Sequence, residues 1–182
     1  MLLDRSRSAL VLVDFQSRLM PVIHEAEQVI DNAVFLARVA QALGVPVLGT
    51  EQNPQKLGGN DERVRITCDR TLSKAHFSAV ADGLLTGIHA LSPGASQVVL
   101  AGCEAHVCLL QTALQVQQAG LQAFVVAEAC GSRRPADKAM ALQRLQQAGV
   151  VLAGAEMVAF EWLGSCEHPA FRQVLALIKA RP

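Results

Sequence analysis

The chain has 182 residues, and its 16 Lys and Arg residues balance its 16 Asp and Glu residues, so the formal net charge is zero. Hydrophobic residues make up 51% of the sequence, which is enough for a well-buried core and excludes a disordered chain. Broad nucleic-acid binding needs a surplus of Lys and Arg on one face, and a membrane-spanning helix needs roughly 18 apolar residues. The sequence offers neither, so we expect a single domain over residues 1–182, located in the cytoplasm and without nucleic-acid or membrane partners.

Five short runs rich in Val and Leu predict buried strands, and a sixth, more polar strand is expected after a long central loop. The apolar runs do not alternate with polar residues, a pattern typical of parallel strands that helices cover on both faces. The predicted strands are residues 9–13, 45–48, 71–74, 98–101, 123–127 and 150–153.

Segments with helical periodicity lie between most of these strands. The first carries apolar residues on one face from Ala26 to Ala40 and ends before Gly44. Residues 52–70 contain a proline and two adjacent glycines and predict the long loop. Because strands and helices alternate, we expect right-handed crossovers and an α/β three-layer sandwich around a mostly parallel, Rossmann-like sheet of about six strands. Further helices are predicted over residues 106–119, 135–149 and 169–180.

Acidic residues follow four of the predicted strands, namely Asp14, Glu51, Glu104 and Glu128. In open α/β sheets, ligands bind beyond the carboxyl ends of the strands. An acid at this place can also cap the following helix, and this is the interpretation that we favour for Glu128. Asp14 follows five apolar residues directly, so its carboxylate lies at the rim of the core and is a candidate general base.

The five cysteines differ in their settings. None forms a C-x-x-C pair, so neither a zinc ribbon nor a thioredoxin-like centre is expected. Cys108 alone lies in the first turn of a predicted helix, where unpaired N–H groups and the helix dipole favour a thiolate. We therefore predict that Cys108 is a nucleophile whose pKa lies below that of an ordinary thiol. For the others we expect no catalytic role; they are Cys68, Cys103, Cys130 and Cys166.

Three separated motifs indicate a family. They are ALVLVDFQ, in which Asp14 ends the first strand; LSKAHFSA, with Lys74 beside a strand end; and GCEAHVCLLQTA, with Cys108 at a helix start. In this order and placement, the motifs resemble those of the isochorismatase-like cysteine hydrolases, most closely the branch of isochorismatase domain-containing proteins. The resemblance covers essentially the whole chain and implies a catalytic triad of Asp14, Lys74 and Cys108.

The resemblance also implies a reaction. Cys108 would attack an amide-like carbonyl and form a thioester, while Asp14 takes the thiol proton and Lys74 stabilises the thiolate. The backbone N–H groups of Glu104 and Cys108 would form the oxyanion hole, beside a cis peptide bond between Cys103 and Glu104 that the family keeps. The expected substrate is therefore a small amide or a related carbonyl compound.

Two departures from members of this superfamily narrow the reaction further. Metal-dependent nicotinamidases carry an Asp-x-His pair after the second strand, where this chain reads Thr50-Glu51-Gln52-Asn53. Too few imidazole ligands remain for a zinc-like site, so we expect neither a metal nor another cofactor, and nicotinamide is not the expected substrate. Isochorismatases proper cleave a vinyl ether without a cysteine nucleophile, whereas this chain has the cysteine.

A pocket, an oligomer and an alternative function complete the predictions. The apolar stretch from Met157 to Leu163, which includes the single Trp162, predicts a helix face that meets a partner, and the resemblance likewise implies a homo-oligomer. The alternative function is a non-catalytic binding or oligomeric scaffold module that keeps the fold. A redox-sensing thiol is a weaker alternative, because no resolving cysteine is evident.

The predicted pocket walls are Phe15, Leu19, Glu51, Gln52, Phe77 and His106.

Overall fold

Six strands form one sheet in the computed structural model, which describes residues 1–181. They are β1 (Ser8–Val13), β2 (Val47–Gln52), β3 (Arg70–Lys74), β4 (Gln97–Cys103), β5 (Gln122–Gly131) and β6 (Val151–Ala153). Their order across the sheet is β3-β2-β1-β4-β5-β6, and every neighbouring pair is parallel. The predicted α/β class with a six-stranded sheet is confirmed.

Helices cover both faces of the sheet. They are α1 (Ala26–Ala42), α2 (Pro54–Leu57), α3 (Glu62–Arg65), α4 (Leu84–Leu91), α5 (Leu110–Gln118), α6 (Pro135–Gln147), α7 (Ala155–Leu163) and α8 (Phe171–Lys179). Helices α1, α7 and α8 share one hydrophobic core with the sheet, and α4, α5 and α6 share the other. Within residues 1–181, no helix is both long and apolar enough to cross a membrane.

Packing on both faces explains why β1 is an uninterrupted apolar run. Leu10 and Leu12 belong to the core on the α1 face, while Ala9, Val11 and Val13 belong to the core on the α5 face. All five side chains are fully buried. A polar residue at any of these positions would be desolvated, and this cost excludes the usual alternation of apolar and polar residues.

The helices that the sequence did not predict are short. Helices α2 and α3 lie inside the predicted loop over residues 52–70, and α4 falls outside every predicted helix. Helix α4 contains Gly87, an unfavourable residue in a helix interior. A Cβ at this position would lie 3.1 Å from Cδ2 of Leu48 in β2, so the glycine allows the helix to pack closely on the sheet. Tertiary packing therefore outweighs the local sequence signal in α4.

The strand order reverses next to β1, which has β2 on one side and β4 on the other. In doubly wound sheets, such a reversal opens a crevice at the carboxyl ends of the strands, where ligands bind. The two backbones approach closely at this point, because Val13 pairs with Gly102, and a Cβ on Gly102 would overlap the Val13 carbonyl oxygen. Strand β2 ends at Gln52, four residues later than predicted, so that it also borders the crevice.

Candidate active site

Asp14 and Lys74 form a fully buried ion pair at the carboxyl ends of the strands. Asp14 directly follows β1 and has a left-handed backbone conformation, with a φ of 56°, which Asp adopts more readily than most residues do. Lys74 is the last residue of β3. Its Nζ lies 2.7 Å from Oδ2 of Asp14, and neither side chain has any exposed surface. The fold thus brings together two of the three residues of the predicted triad.

Four oxygen atoms surround the Lys74 ammonium. Besides Asp14, the ammonium contacts Oε1 of Gln52 at 2.7 Å and the carbonyl oxygens of Phe77 and His76 at 3.0 and 3.3 Å. An ammonium has three N–H donors, so every donor has an acceptor within the protein. Lys74 is therefore held in one position, with its charge fixed beside Asp14.

The Asp14 carboxylate keeps one oxygen available for a further donor. Thr50 donates its hydroxyl to Oδ1 at 2.7 Å. Oδ2 lies 2.7 Å from Lys74, but this contact lacks hydrogen-bond geometry, and no other donor within residues 1–181 hydrogen-bonds to Oδ2. Since a carboxylate oxygen carries two lone pairs, Oδ2 can accept a proton from a group beside it.

Cys108 lies in a wide helical turn that leads into α5. Residues Ala105–Leu109 form a π-helical turn, in which the Glu104 carbonyl accepts the N–H of Leu109 at 3.3 Å but not that of Cys108. The peptide bond between Cys103 and Glu104 is cis, as the resemblance implies. The first N–H groups of a helix have no partner within the helix. The Cys108 N–H is therefore a candidate donor to a ligand.

Burial and, to a smaller extent, the negative charge of Asp14 raise the pKa of the Cys108 thiol to about 12, although Lys74 acts in the opposite direction. The predicted lowering of this pKa is therefore wrong. Sequence reasoning counted the helix start and the Lys74 ammonium, but it omitted the loss of water around a residue that is only 7% exposed. Cys108 keeps its proton at neutral pH, and a base must remove that proton when the sulfur reacts.

The other cysteines show that acidity does not single out Cys108. Burial raises the pKa of Cys68 to about 11 and that of Cys130 to about 12, and it also raises the pKa of Cys103. Cys103 and Cys130 pack into cores on opposite faces of the sheet, and all five cysteines are free. Cys166 is exposed. What distinguishes Cys108 is the buried ion pair beside it.

The three apolar residues among the predicted pocket walls lie in different environments. Phe15 is fully buried in the core on the α1 face, so the prediction that it lines a pocket is wrong: core packing encloses the ring. Leu19 is half-buried against the same core. Phe77 is 55% exposed and follows Lys74 by three residues, which leaves its ring free to contact a ligand.

Glu51 and Gln52 are engaged in hydrogen bonds within the protein. Glu51 accepts the N–H of Asn60 at 2.9 Å, and Gln52 donates to the Ala75 carbonyl at 2.8 Å while it accepts from Lys74. The Glu51 and Gln52 side chains therefore brace the loops around the crevice.

Among residues 1–181, no three His, Cys, Asp or Glu side chains are grouped so that they could hold a metal ion.

His106 contacts the start of α6. Its Nδ1 lies 3.0 Å from Oγ of Ser132, and its Nε2 lies 4.0 Å from Oδ2 of Asp137. A cavity of about 260 Å³ is lined by Ser132 together with His24 and residues of α6, and a larger one of about 730 Å³ lies along α1 and α8. Neither cavity is lined by a residue of the predicted triad.

Thr50 and Asp82 contact the site, although sequence reasoning did not single them out. Thr50 pairs with Val13 in the sheet, which places its hydroxyl beside the next residue, Asp14. A polar residue near the end of a buried strand is a usable signal, and Thr50 has it. Asp82 binds the backbone of the turn after Lys74, and no sequence pattern indicates this contact.

Known proteins share both the sequence pattern and the fold. Residues 8–157 match the isochorismatase domain family. Isochorismatase domain-containing protein 2A of Mus musculus is 35% identical over 175 residues, which cover 94% of this chain and 82% of that protein. A MAR1 ribonuclease from Caenorhabditis elegans has a TM-score of 0.93 at 28% identity and covers 100% of this chain and 95% of its own. The YcaC gene product of Escherichia coli, an octameric hydrolase of unknown specificity, has a TM-score of 0.85 at 22% identity, covering 98% and 97%. This chain belongs to the isochorismatase domain family.

Proposed function

We propose that the protein is a hydrolase in which Cys108 attacks a small amide or a related carbonyl compound. The observation that carries this proposal is the fully buried Asp14–Lys74 pair, with 2.7 Å between its charged atoms, in electrostatic contact with Cys108. A buried ion pair loses the hydration of both charges and is a weak source of stability. A role in catalysis, rather than in stability, accounts for such a pair at the carboxyl edge of the sheet.

The first step follows from the protonated resting thiol. As the Cys108 sulfur forms a bond to the carbonyl carbon, its proton moves to Oδ2 of Asp14, and the carbonyl electron pair moves onto the oxygen. Lys74 loses no contact in this step, because protein oxygens hold its ammonium before and after the transfer. The N–H groups of Glu104 and Cys108 are our candidates for stabilising the oxyanion.

The second half of the reaction returns the site to its resting form. When the tetrahedral adduct collapses, the carbon–nitrogen bond breaks and Asp14 gives its proton to the leaving amine, which leaves an acyl thioester on Cys108. Asp14 then removes a proton from a water molecule as the water attacks the thioester. The carboxylic acid leaves, and the sulfur regains the proton. One carboxylate thus acts as base and acid in turn.

The same proposal includes the kind of substrate, the location and the assembly of the protein. We expect a small-molecule substrate, no cofactor, a cytoplasmic location consistent with five free cysteines, and self-association, as in the octameric YcaC product. The predicted association face needs a correction, because Trp162 is buried and donates to Ser8, whereas Met157 and Phe160 are exposed. The exposed side of α7 is therefore narrower than the sequence indicated.

A screen of small amides, ureides and carbamoyl compounds tests the proposal, with intact-mass detection of an acyl adduct. We expect turnover by the native protein, none by Cys108→Ala, and an adduct that maps to Cys108; Cys68→Ala is the matched control and should retain full turnover. An RNA substrate is included because one structural relative is a ribonuclease, although the zero net charge provides no general attraction for RNA. Turnover that survives in Cys108→Ala would contradict the proposal, and binding without any turnover would favour the scaffold alternative.

A further inference from the structure

Asp82 binds the turn that follows Lys74. Its Oδ2 accepts the backbone N–H of Ala75 at 3.2 Å and that of His76 at 3.0 Å. The ring nitrogen Nδ1 of His76 lies 3.2 Å from both carboxylate oxygens. One side chain therefore fixes two successive peptide groups directly after the end of β3.

The same turn supplies two of the oxygens that hold the Lys74 ammonium. The carbonyls of His76 and Phe77 both accept from Nζ. Each planar peptide group joins an N–H to the carbonyl of the preceding residue, so Asp82 fixes the peptide groups 74–75 and 75–76. The carbonyls of residues 76 and 77 belong to the next two peptide groups, so Asp82 holds the start of the turn from which these carbonyls reach Lys74.

The segment that carries Asp82 is anchored on the helix after Cys108. The hydroxyl of Thr112 in α5 accepts the N–H of Ala79 at 3.1 Å, and Ser78 donates to the Gln115 side chain at 2.7 Å. Thr112 lies one helical turn beyond Cys108. Asp82 therefore stands between an anchor on the nucleophile's helix and the turn that holds Lys74.

We propose that Asp82 is a positioning residue that sets the place of the Lys74 ammonium relative to Asp14 and Cys108. The inference rests on the proposed function and deepens it, because it names a residue outside the triad through which the geometry of the triad is maintained. Asp82 does not touch the reacting atoms. Its carboxylate acts through two peptide groups and two carbonyls on Lys74, and through Lys74 on the thiol.

The test measures the rate at which iodoacetamide alkylates Cys108 at one fixed alkaline pH, with peptide mapping of all five cysteines. Lys74 favours the thiolate, so a displaced ammonium should slow the reaction. We expect Asp82→Ala to slow Cys108 alkylation about tenfold, which corresponds to one pKa unit. Asp82→Asn should stay near the native rate, because its amide oxygen can still accept both backbone N–H groups. Asp4→Ala is the control, since Asp4 likewise accepts a local backbone N–H but is remote from the site.

Peptide mapping distinguishes positioning from a loosened fold. Loosening would speed the labelling of the buried Cys103 and Cys130, whereas displacement of Lys74 slows Cys108 and leaves these two unlabelled. If Asp82→Ala does not fold, Asp82→Ser gives the same comparison, because its shorter side chain cannot reach both N–H groups. An unchanged Cys108 rate in Asp82→Ala, together with slower labelling in Lys74→Ala, overturns this inference but not the proposed function. An unchanged rate in Lys74→Ala contradicts the proposed triad itself.

Discussion

Two ion pairs of equal length have very different surroundings in this protein. Lys74 and Asp14 are 2.7 Å apart with no exposed surface on either side chain. Arg63 and Glu27 are also 2.7 Å apart, but 44% and 76% of their side-chain surfaces are exposed. Arg63 additionally contacts Asp61 at 3.0 Å and lies on the outside of the molecule, against α1. Distance alone therefore says little about what each pair does.

Solvent makes the difference between the two pairs. Water and salt screen the exposed pair, and either partner can be rehydrated if the other is removed. The buried pair has no such alternative, because each charge depends on the other and on the oxygens of Thr50, Gln52 and the turn after β3. The buried pair is therefore a rigid element of the site, while the exposed pair is a replaceable surface contact.

Removal of the buried cation should have the largest effect on stability. Lys74→Met keeps the length of the side chain but leaves the Asp14 carboxylate unpaired in the core, which we expect to lower the free energy of unfolding by about 3–5 kcal/mol. Urea denaturation followed by circular dichroism measures this loss. A variant as stable as the native protein would show that Asp14 does not depend on Lys74, contrary to the buried ion pair.

Loss of the Thr50 hydroxyl, which donates to Asp14, should have an intermediate effect on stability. Thr50→Val preserves the shape of the side chain and removes the 2.7 Å hydrogen bond to Oδ1, so a buried acceptor loses its donor at a cost of about 1–3 kcal/mol. The same denaturation experiment applies, with Thr71→Val on the neighbouring β3 as the control. If both variants lose the same free energy of unfolding, the hydrogen bond from Thr50 to Asp14 contributes no measurable stability.

Removal of the exposed cation should have the smallest effect. Hydrogen bonds from Arg63 lower the pKa of Glu27 and of Asp61. A lowered carboxyl pKa contributes stability that is present above the ordinary carboxyl range and is lost as the pH falls through it. We expect Arg63→Met to lower the midpoint of denaturation slightly at neutral pH and low salt, and not at all at acidic pH or in high salt. A loss as large as that of Lys74→Met would remove the distinction between the pairs.

The sequence predicted the fold well because burial leaves a local signal. The runs of β1 and β4 are apolar on both faces, and this pattern alone indicates covered parallel strands. Helix α4 was missed because Gly87 is a poor helix residue and because its role, close packing against Leu48, exists only in the folded chain. Signals that depend on a distant partner are invisible in the residues themselves.

The candidate site shows the same limit. The motifs indicated Asp14, Lys74 and Cys108, and the fold places them at one edge of the sheet. The direction of the Cys108 pKa shift was predicted wrongly, because burial depends on the whole tertiary structure. Phe15 follows Asp14 directly, yet its side chain lies in the core. Neighbours along the chain point in different directions, and a motif does not say which of them faces the crevice.

The most direct test of the triad compares the alkylation rates of Cys108 in three proteins across a range of pH. In the native protein the rate should rise with pH towards the raised pKa of about 12. At alkaline pH, hydroxide removes the thiol proton without help from Asp14. Asp14→Asn removes a negative charge beside the sulfur, so Cys108 should then react faster than in the native protein even though turnover is lost, and Lys74→Ala should make Cys108 react more slowly, each by about tenfold per pKa unit. We predict that the Cys108 rate falls in the order Asp14→Asn, native, Lys74→Ala, with labelling of the exposed Cys166 unchanged. Equal Cys108 rates in all three proteins would contradict this prediction.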